Sequence, residues 1–227
     1  MKVSVILPTL DEAENIIPSI LSINSQGGEF ELIVVDGGST DGTVEIVQPH
    51  APIISSERGR ALQMNEGARH ASGEVLLFLH SDSILPVGAL AALCQTLQDP
   101  RNAGGTFTLR FDSDQLPLRF YAFLTRFKFR YFHYGDQGIF VRRSVFEKLG
   151  GFREMSLMED VDFLRRLSQA GRRTLIQLPV TTSARRFLKY GVVLQELLNI
   201  LLVFCYLLGV KPETLSKWYP VKGAHDR

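Results

Sequence analysis

Asp82, Asp36, Arg60 and the pair Glu159-Asp160 are the residues whose types and positions could do chemistry. Val75 to Leu79 is an unbroken apolar run between Gly73-Glu74 and the polar His80, Ser81 and Asp82. A strand buried on both faces of a parallel sheet reads this way. A carboxylate just past the carboxyl end of such a strand lies where open α/β sheets bind ligands. Asp82 is therefore expected to hold a hard cation, Mg²⁺ or Mn²⁺, which needs one or two protein groups when phosphates supply the rest. His80 either joins as a ligand, suiting Mn²⁺, or only flanks the strand end.

Asp36 ends a second apolar run, Glu31–Val35, and precedes Gly37-Gly38. There it could accept hydrogen bonds from a base N–H or from ribose hydroxyls, while the glycines let a ligand approach the backbone. A turn-forming aspartate is the structural alternative. Arg60, with Asn65 downstream, could fork two donors onto a phosphate, although a surface arginine is the commoner use. Glu159 and Asp160 open an apolar-periodic segment, and the helix dipole favours an ionised carboxylate in a first turn. Such a group either caps the helix or takes a proton from an acceptor hydroxyl.

The elements that must position these residues follow a repeating order. Lys2–Leu7 reads as a first strand ending at Pro8, and Asp11 as a cap for a helix through Ile16, Ile17, Ile20 and Leu21. Ser39, Thr40 and Asp41 offer caps for a helix over Thr43–Val47. Ile53–Ser55 is a short strand, Gly59–Ala71 a helix, Val87–Gln98 another, and Gly105–Phe111 a strand. Beyond these come Ile139–Val141 (strand), Ser144–Leu149 (helix), Glu159–Ala170 (helix) and Thr174–Leu178, a strand stopped by Pro179. β-then-α units in succession imply a mostly parallel sheet with right-handed crossovers. The expected division is a catalytic unit over 1–180 and a helical appendage over 181–227.

At 227 residues, 45% hydrophobic and 22% charged, the chain can build a packed core and is not globally disordered. The net charge of +1 hides an asymmetry: residues 1–100 hold 4 Lys/Arg and 13 Asp/Glu, and residues 101–227 hold 21 and 11. The basic half suits a diphosphate or an anionic membrane surface. Cys94 and Cys205 form no framework, which points to a reducing compartment, and Pro8 and Asp11 interrupt the first apolar run too early for a signal peptide.

Two stretches read as surface-active. Over 116–131, Leu116, Phe120, Phe123, Leu124, Phe127 and Tyr131 fall on one helical face and Arg119, Arg126 and Arg130 on another. This pattern fits a membrane surface or a helix packed on its own domain. Gly191–Val210 is the most apolar segment, interrupted by Gln195, Glu196 and Asn199, and its uninterrupted part is shorter than the ~20 residues a span needs. It is expected to lie in an interface or against a membrane, not to cross one. A cytoplasmic protein, peripheral on the inner membrane face or dimeric through this helix, is the expectation.

Together these residues resemble the family 2 glycosyltransferases, which have the GT-A fold. The resemblance rests on Val3 to Glu12, Ile33 to Thr43, Gly59-Arg60 with Asn65 and Gly67, Leu79 to Ser83, and Glu159-Asp160, in order over about residues 1–170. Gly59 to Asn65, Gly135 to Gly138 and Thr182 to Arg186 look like a bacterial subgroup whose genes often sit beside radical-SAM/selenodomain genes. The resemblance implies a nucleotide-diphosphate sugar donor, a divalent metal, no nucleic acid and a hydroxyl acceptor it does not identify, while the two surface-active stretches suit a lipid or lipid-linked acceptor or, equally, a dimer interface. It implies Pro8, Thr9, Glu12 and Asp36 around the nucleoside and Arg60 near the base or diphosphate. Ser81 and Asp82 would stand at the metal and diphosphate, and Asp160 would be the base. Glu159 and the segment holding Asp136, Gln137 and Gly138 would border the acceptor, with Arg186 offsetting diphosphate charge. Two positions depart from the family: Gly37 stands for a second aspartate after strand two, and His80 for the first aspartate of the metal motif. A sugar-phosphate nucleotidyltransferase would want a glycine-rich basic loop after strand one, whereas Thr9-Leu10-Asp11-Glu12 is acidic. A non-catalytic nucleotide-binding or membrane-docked partner protein is the remaining alternative.

Overall fold

The computed structural model describes residues 1–127 and 135–219. In chain order the elements begin β1 (Val3–Thr9), α1 (Ile16–Asn24), β2 (Phe30–Asp36), α2 (Thr43–Val47), β3 (Ile53–Ser55), α3 (Arg60–His70) and β4 (Val75–Phe78). A two-residue β5 (Ser83–Ile84), α4 (Ala89–Thr96), β6 (Asn102–Phe111) and α5 (Leu116–Leu124) follow, then a 3-10 turn at Gly135–Gln137. The chain closes with β7 (Ile139–Arg142), α6 (Arg143–Lys148), α7 (Glu159–Ala170), β8 (Arg172–Thr182), α8 (Arg185–Tyr190), α9 (Val192–Leu207) and α10 (Pro212–Trp218).

One eight-stranded sheet runs β3-β2-β1-β4-β7-β6-β8-β5. The first four strands are parallel, as the β-then-α order requires, and β7 is antiparallel to both its neighbours. Alternation along the strands separates two cores. Val3, Val5 and Leu7 of β1, with Val75, Leu77 and Leu79, pack with Ile16, Ile20, Leu90 and Leu93. Ile6, Leu76 and Phe78 face the other way, onto Ala61, Met64, Phe146, Phe163 and Leu167. Helices on both faces explain why β4 is apolar at every position. α3 comes close to the sheet because Gly67 has no side chain: a Cβ there would stand 2.4 Å from Ile6 Cγ2.

Three expectations need correction. Asp11 does not cap α1; Asn15 stands at that cap, and Asp11 takes φ +50° with its carboxylate accepting the Thr40 N–H at 2.8 Å. Pro179 does not stop β8. The strand runs to Thr182 because Phe107 pairs with Ile176 and Thr108 with Pro179, leaving Gln177 and Leu178 as a bulge; a proline at a bulge costs the ladder little. The 116–131 helix ends at Leu124, and Arg130 and Tyr131 lie outside the described residues. Its expected apolar face points outward: Leu116, Phe120, Phe123 and Phe127 are exposed, while Leu118 and Tyr121 are buried.

Candidate active site

The carboxyl ends of β1 and β4 open onto a cleft lined by Pro8, Thr9, Glu12, Arg60, Gln63, His80, Ser81 and Asp82, with Arg185, Arg186 and Tyr219 from the C-terminal segment. A second cavity, lined by Asp136, Asp160, Tyr121, Asn199, Leu202 and Val203, shares Arg60, Leu157, Arg186 and Tyr219 with it. The two are contiguous. A roomier concavity between β6 and α5, at Arg110, Asp114, Arg119 and Arg126, holds none of the candidate residues.

The floor of the cleft is set by main-chain bonds. Gln63 is buried, and its Nε2 donates to Thr9 O at 2.7 Å and Val35 O at 2.9 Å, joining the ends of β1 and β2. Gly37 leaves room for it: a Cβ at 37 would stand 3.0 Å from Gln63 Cδ. That packing accounts physically for glycine where the family pattern has a second aspartate. Asp36 is buried; Oδ2 accepts the N–H of Gly38 (2.9 Å) and Ser39 (3.0 Å), while Oδ1 is buried with no hydrogen-bond partner. The carboxylate thus closes a turn and keeps one acceptor free.

Arg185 holds the acidic wall. Its Nη2 contacts Glu12 Oε1 and stands 3.6 Å from Asp82 Oδ2. Burial pushes the Glu12 carboxyl up, Arg185 pulls against it, and the nearby Asp82 adds to the rise. Arg186, the residue expected at the diphosphate, donates instead to Tyr219 Oη at 2.6 Å, with its guanidinium 5.7 Å from that ring's centre.

The other wall is a chain of polar contacts. Arg60 Nη1 lies 3.1 Å from His80 Nε2, and His80 Nδ1 lies 3.2 Å from Asp136 Oδ1. Arginine can only donate, so Nε2 accepts and Nδ1–H points to Asp136. Both ring nitrogens of His80 are then occupied. Burial would raise the Asp136 carboxyl, but the His80 bond, with Arg186 and Arg60, takes it below the usual range. Arg60 Nε also lies 2.5 Å from the buried Glu159 Oε1, off the hydrogen-bond direction. Burial pushes Glu159 up despite this partner. Asp160 sits in the first turn of α7, after Met158 at φ +73°. Its Oδ2 accepts the Gly135 N–H at 2.7 Å, and a Cβ on Gly135 would stand 3.1 Å from both Asp160 Oδ2 and His80 Nε2.

The model of the glycosyl transferase family 2 matches residues 4–150. This chain belongs to glycosyl transferase family 2. The PGL/p-HBAD biosynthesis glycosyltransferase of Mycobacterium bovis (strain BCG) is 32% identical over 175 residues, covering 70% of this chain and 67% of its own. An uncharacterized glycosyltransferase, YfnE of Bacillus subtilis, is 40% identical over 93 residues, 37% of this chain and 24% of its own. This family 2 chain thus matches about a quarter of YfnE. Among solved structures, S. aureus TarS superposes with a TM-score of 0.69 at 21% identity, over 81% of this chain and 37% of that one. The mannosyltransferase PcManGT from Pyrobaculum calidifontis, in complex with GDP-Man and Mn²⁺, gives 0.66 at 26% identity over 95% and 67%. The fold is GT-A, as the sequence resemblance implied.

Within this family 2 domain, Pro8, Thr9, Glu12, Arg60, His80, Ser81, Asp82, Asp136, Asp160 and Arg186 line the two cavities. Glu159 is buried behind Arg60 and borders the floor beneath them. Gln137 is fully buried, and Gly138 packs toward Leu79 and Phe107; neither is among the lining residues. Asn65 faces elsewhere: its amide donates to Phe152 O and accepts from Phe152 N, pinning the loop before α7. Arg185, Gln63 and Tyr219 were not singled out by sequence reasoning. Arg185 carried one signal, its place in the motif Thr182 to Arg186. Gln63 likewise stood in the motif Gly59 to Asn65, though its role as a tie between β1 and β2 did not show there, and Tyr219 became visible only when α10 met the cleft.

Proposed function

We propose that this family 2 glycosyltransferase binds a nucleoside-diphosphate sugar in the strand-end cleft and transfers the sugar, with inversion, to an acceptor hydroxyl in the adjoining cavity. The carrying observation is the contiguity of the two cavities, with Asp82 in one and Asp160 in the other. Pro8, Thr9 and Glu12 line the cleft around the nucleoside, and Asp36 lies buried behind them, its unpartnered Oδ1 an acceptor for a base N–H or a ribose hydroxyl only where the bound donor uncovers it. The acceptor oxygen attacks the anomeric carbon, the bond from that carbon to the diphosphate breaks, and Asp160 takes the acceptor's proton. Arg60, Arg185 and Arg186 offset the charge left on the diphosphate. TarS and PcManGT, with UDP-GlcNAc and GDP-Man respectively in their structures, support a nucleotide-sugar donor.

A divalent ion fits the acidic wall. The Arg185 guanidinium stands between Glu12 and Asp82, so a metal ion there would take its place and release Arg185 toward the diphosphate. Among the described residues no three His, Cys, Asp or Glu side chains converge on one point, so Asp82, with Glu12 near, would leave further positions to phosphate oxygens and water. His80 would have to release Arg60 or Asp136 to join them. When bound, Mg²⁺ or Mn²⁺ would supply charge stabilisation to the departing diphosphate. The acceptor side lies against the C-terminal helices, which offer a contact for a membrane or a second copy. The motifs Gly59 to Asn65 and Thr182 to Arg186 support placement in the radical-SAM-associated subgroup.

Isothermal titration with a panel of nucleoside diphosphates, with and without Mn²⁺, tests the donor site. One nucleotide should bind, more tightly with metal, and the Asp82→Ala variant should lose the metal enhancement. Asp160→Asn should bind that nucleotide normally and lose transfer by roughly 10²-fold or more. Normal turnover in Asp160→Asn removes the base assignment, and nucleotide binding without turnover in the wild type favours the non-catalytic reading.

A further inference from the structure

α9 is built inside out. Its polar residues face the protein: Gln195 is buried and donates to Asn199 Oδ1 at 2.9 Å, both Glu196 carboxylate oxygens are buried, and Asn199 lines the cavity that holds Asp160. Its outward face is apolar without a break: Val193, Leu194, Leu197, Ile200, Leu201 and Phe204 are all exposed, Leu194 at 68%. α5, which packs on α9, repeats the arrangement with Phe120 and Phe123 outward and Tyr121 inward. An exposed apolar face of this extent on a folded chain marks an interaction site.

The charges around this face identify its occupant. Arg119 and Arg126 are the charged residues of 115–127, with the exposed Asp112 and Asp114 just ahead of them, and from Leu188 to Tyr219 the exposed ones are Lys189, Lys211, Glu213 and Lys217, so that cations outnumber anions five to three. An apolar face with a cationic margin complements an anionic bilayer, whereas a second copy of the same face would bring like charges together. A 16-residue α9 is about 24 Å long, and no helix among the described residues is long and apolar enough to cross a membrane. α9 therefore suits lying in the plane of the interface.

We propose that the α5–α9 face seats on an anionic membrane and that the acceptor is an amphiphile whose hydroxylated head enters the Asp160 cavity from that membrane. Leu202 and Val203, buried on the inner side of α9, give that cavity an apolar wall, and Asn199 and Asp136 give it polar partners. The acceptor half of this proposal rests on the glycosyl-transfer reading; the seating does not.

Co-sedimentation with phosphatidylcholine vesicles, with and without 30% phosphatidylglycerol, tests the seating. The protein should pellet with the anionic vesicles at low salt, several-fold less at 0.5 M NaCl, and about ten-fold less as the triple variant Leu194→Ser, Leu201→Ser, Phe204→Ser. These positions are exposed, so the variant should keep its thermal midpoint and its nucleotide titration. No pelleting of the wild type, or pelleting unchanged in the triple variant, overturns the seating. Concentration-dependent dimerisation without vesicle binding assigns the face to a second copy and overturns it too. For the acceptor, octyl β-glucoside below its micelle concentration should raise the thermal midpoint where methyl β-glucoside does not. Equal effects of the two overturn the amphiphile while leaving the seating intact, and a failed nucleotide titration would instead overturn the glycosyl-transfer reading.

Discussion

Single carboxylates in this protein differ by what surrounds them. Asp160 accepts two backbone N–H groups, that of Gly135 on Oδ2 and that of Val161 on Oδ1, Glu159 is buried against Arg60, and Asp36 keeps one buried oxygen without a partner. Glu196 is the odd one. Its oxygens are buried without hydrogen-bond partners, and burial, with Asp136 near, pushes its carboxyl up to about 7 from 4.5. The folded protein thus holds a proton that the unfolded chain has released, so stability falls as pH rises from about 4.5 to about 7 and stays reduced above. Glu196→Gln should raise the thermal midpoint at pH 8 by a few degrees and flatten its decline between pH 5 and 7. Scanning calorimetry at pH 5, 6, 7 and 8 reads this; parallel curves for the two proteins would mean that Glu196 is not buried as a neutral acid.

Among the elements, α3 does the most positioning. It begins at Arg60, which reaches His80 and Glu159, continues to Gln63, which ties β1 to β2, and then to Asn65, which anchors Phe152 before α7. Its seat on the sheet depends on Gly67. Gly67→Ala puts a methyl against Ile6 and Val35, an overpacking that should cost about 1–3 kcal/mol. Urea unfolding should show a lower midpoint at unchanged slope, with weakened nucleotide binding because Arg60 and Gln63 shift with the helix. An unchanged midpoint would mean that the helix rides out from the sheet freely.

For the whole molecule, the C-terminal helices complete the site. Leu157 and Met158, just before α7, pack with Leu202, Val203 and Leu215 of α9 and α10, and Tyr219 holds Arg186 in the cleft. A chain cut after Tyr190 would expose Leu157 and Met158 and lose Tyr219. It should melt several degrees lower and bind the nucleotide more weakly. Calorimetry and titration on the truncated chain check this, and full nucleotide affinity after truncation would confine the donor site to the strand-end residues. The charge asymmetry also acts at this scale: the acidic half supplies Glu12 and Asp82, and the basic half Arg185 and Arg186, to the same cleft.

The amino-acid sequence by itself determined the parallel strands and the turns at their ends. Buried strands need unbroken apolar runs, and their ends need Gly, Asp or Pro, both of which are local signals. Glu159 to Ala170 was legible to the residue because a dipole-favoured acidic turn opens the helix and a glycine closes it. Only the tertiary structure decided which polar groups meet. Arg185 reaches Glu12 across 173 positions and Tyr219 reaches Arg186 around a helical hairpin, and periodicity does not encode such distant pairings. It also decided which way α9 and α5 face. A helical pattern says that apolar residues share a side, but burial of Gln195 and the Glu196 carboxylate, with Asn199 on the cavity that holds Asp160, turned the apolar side outward.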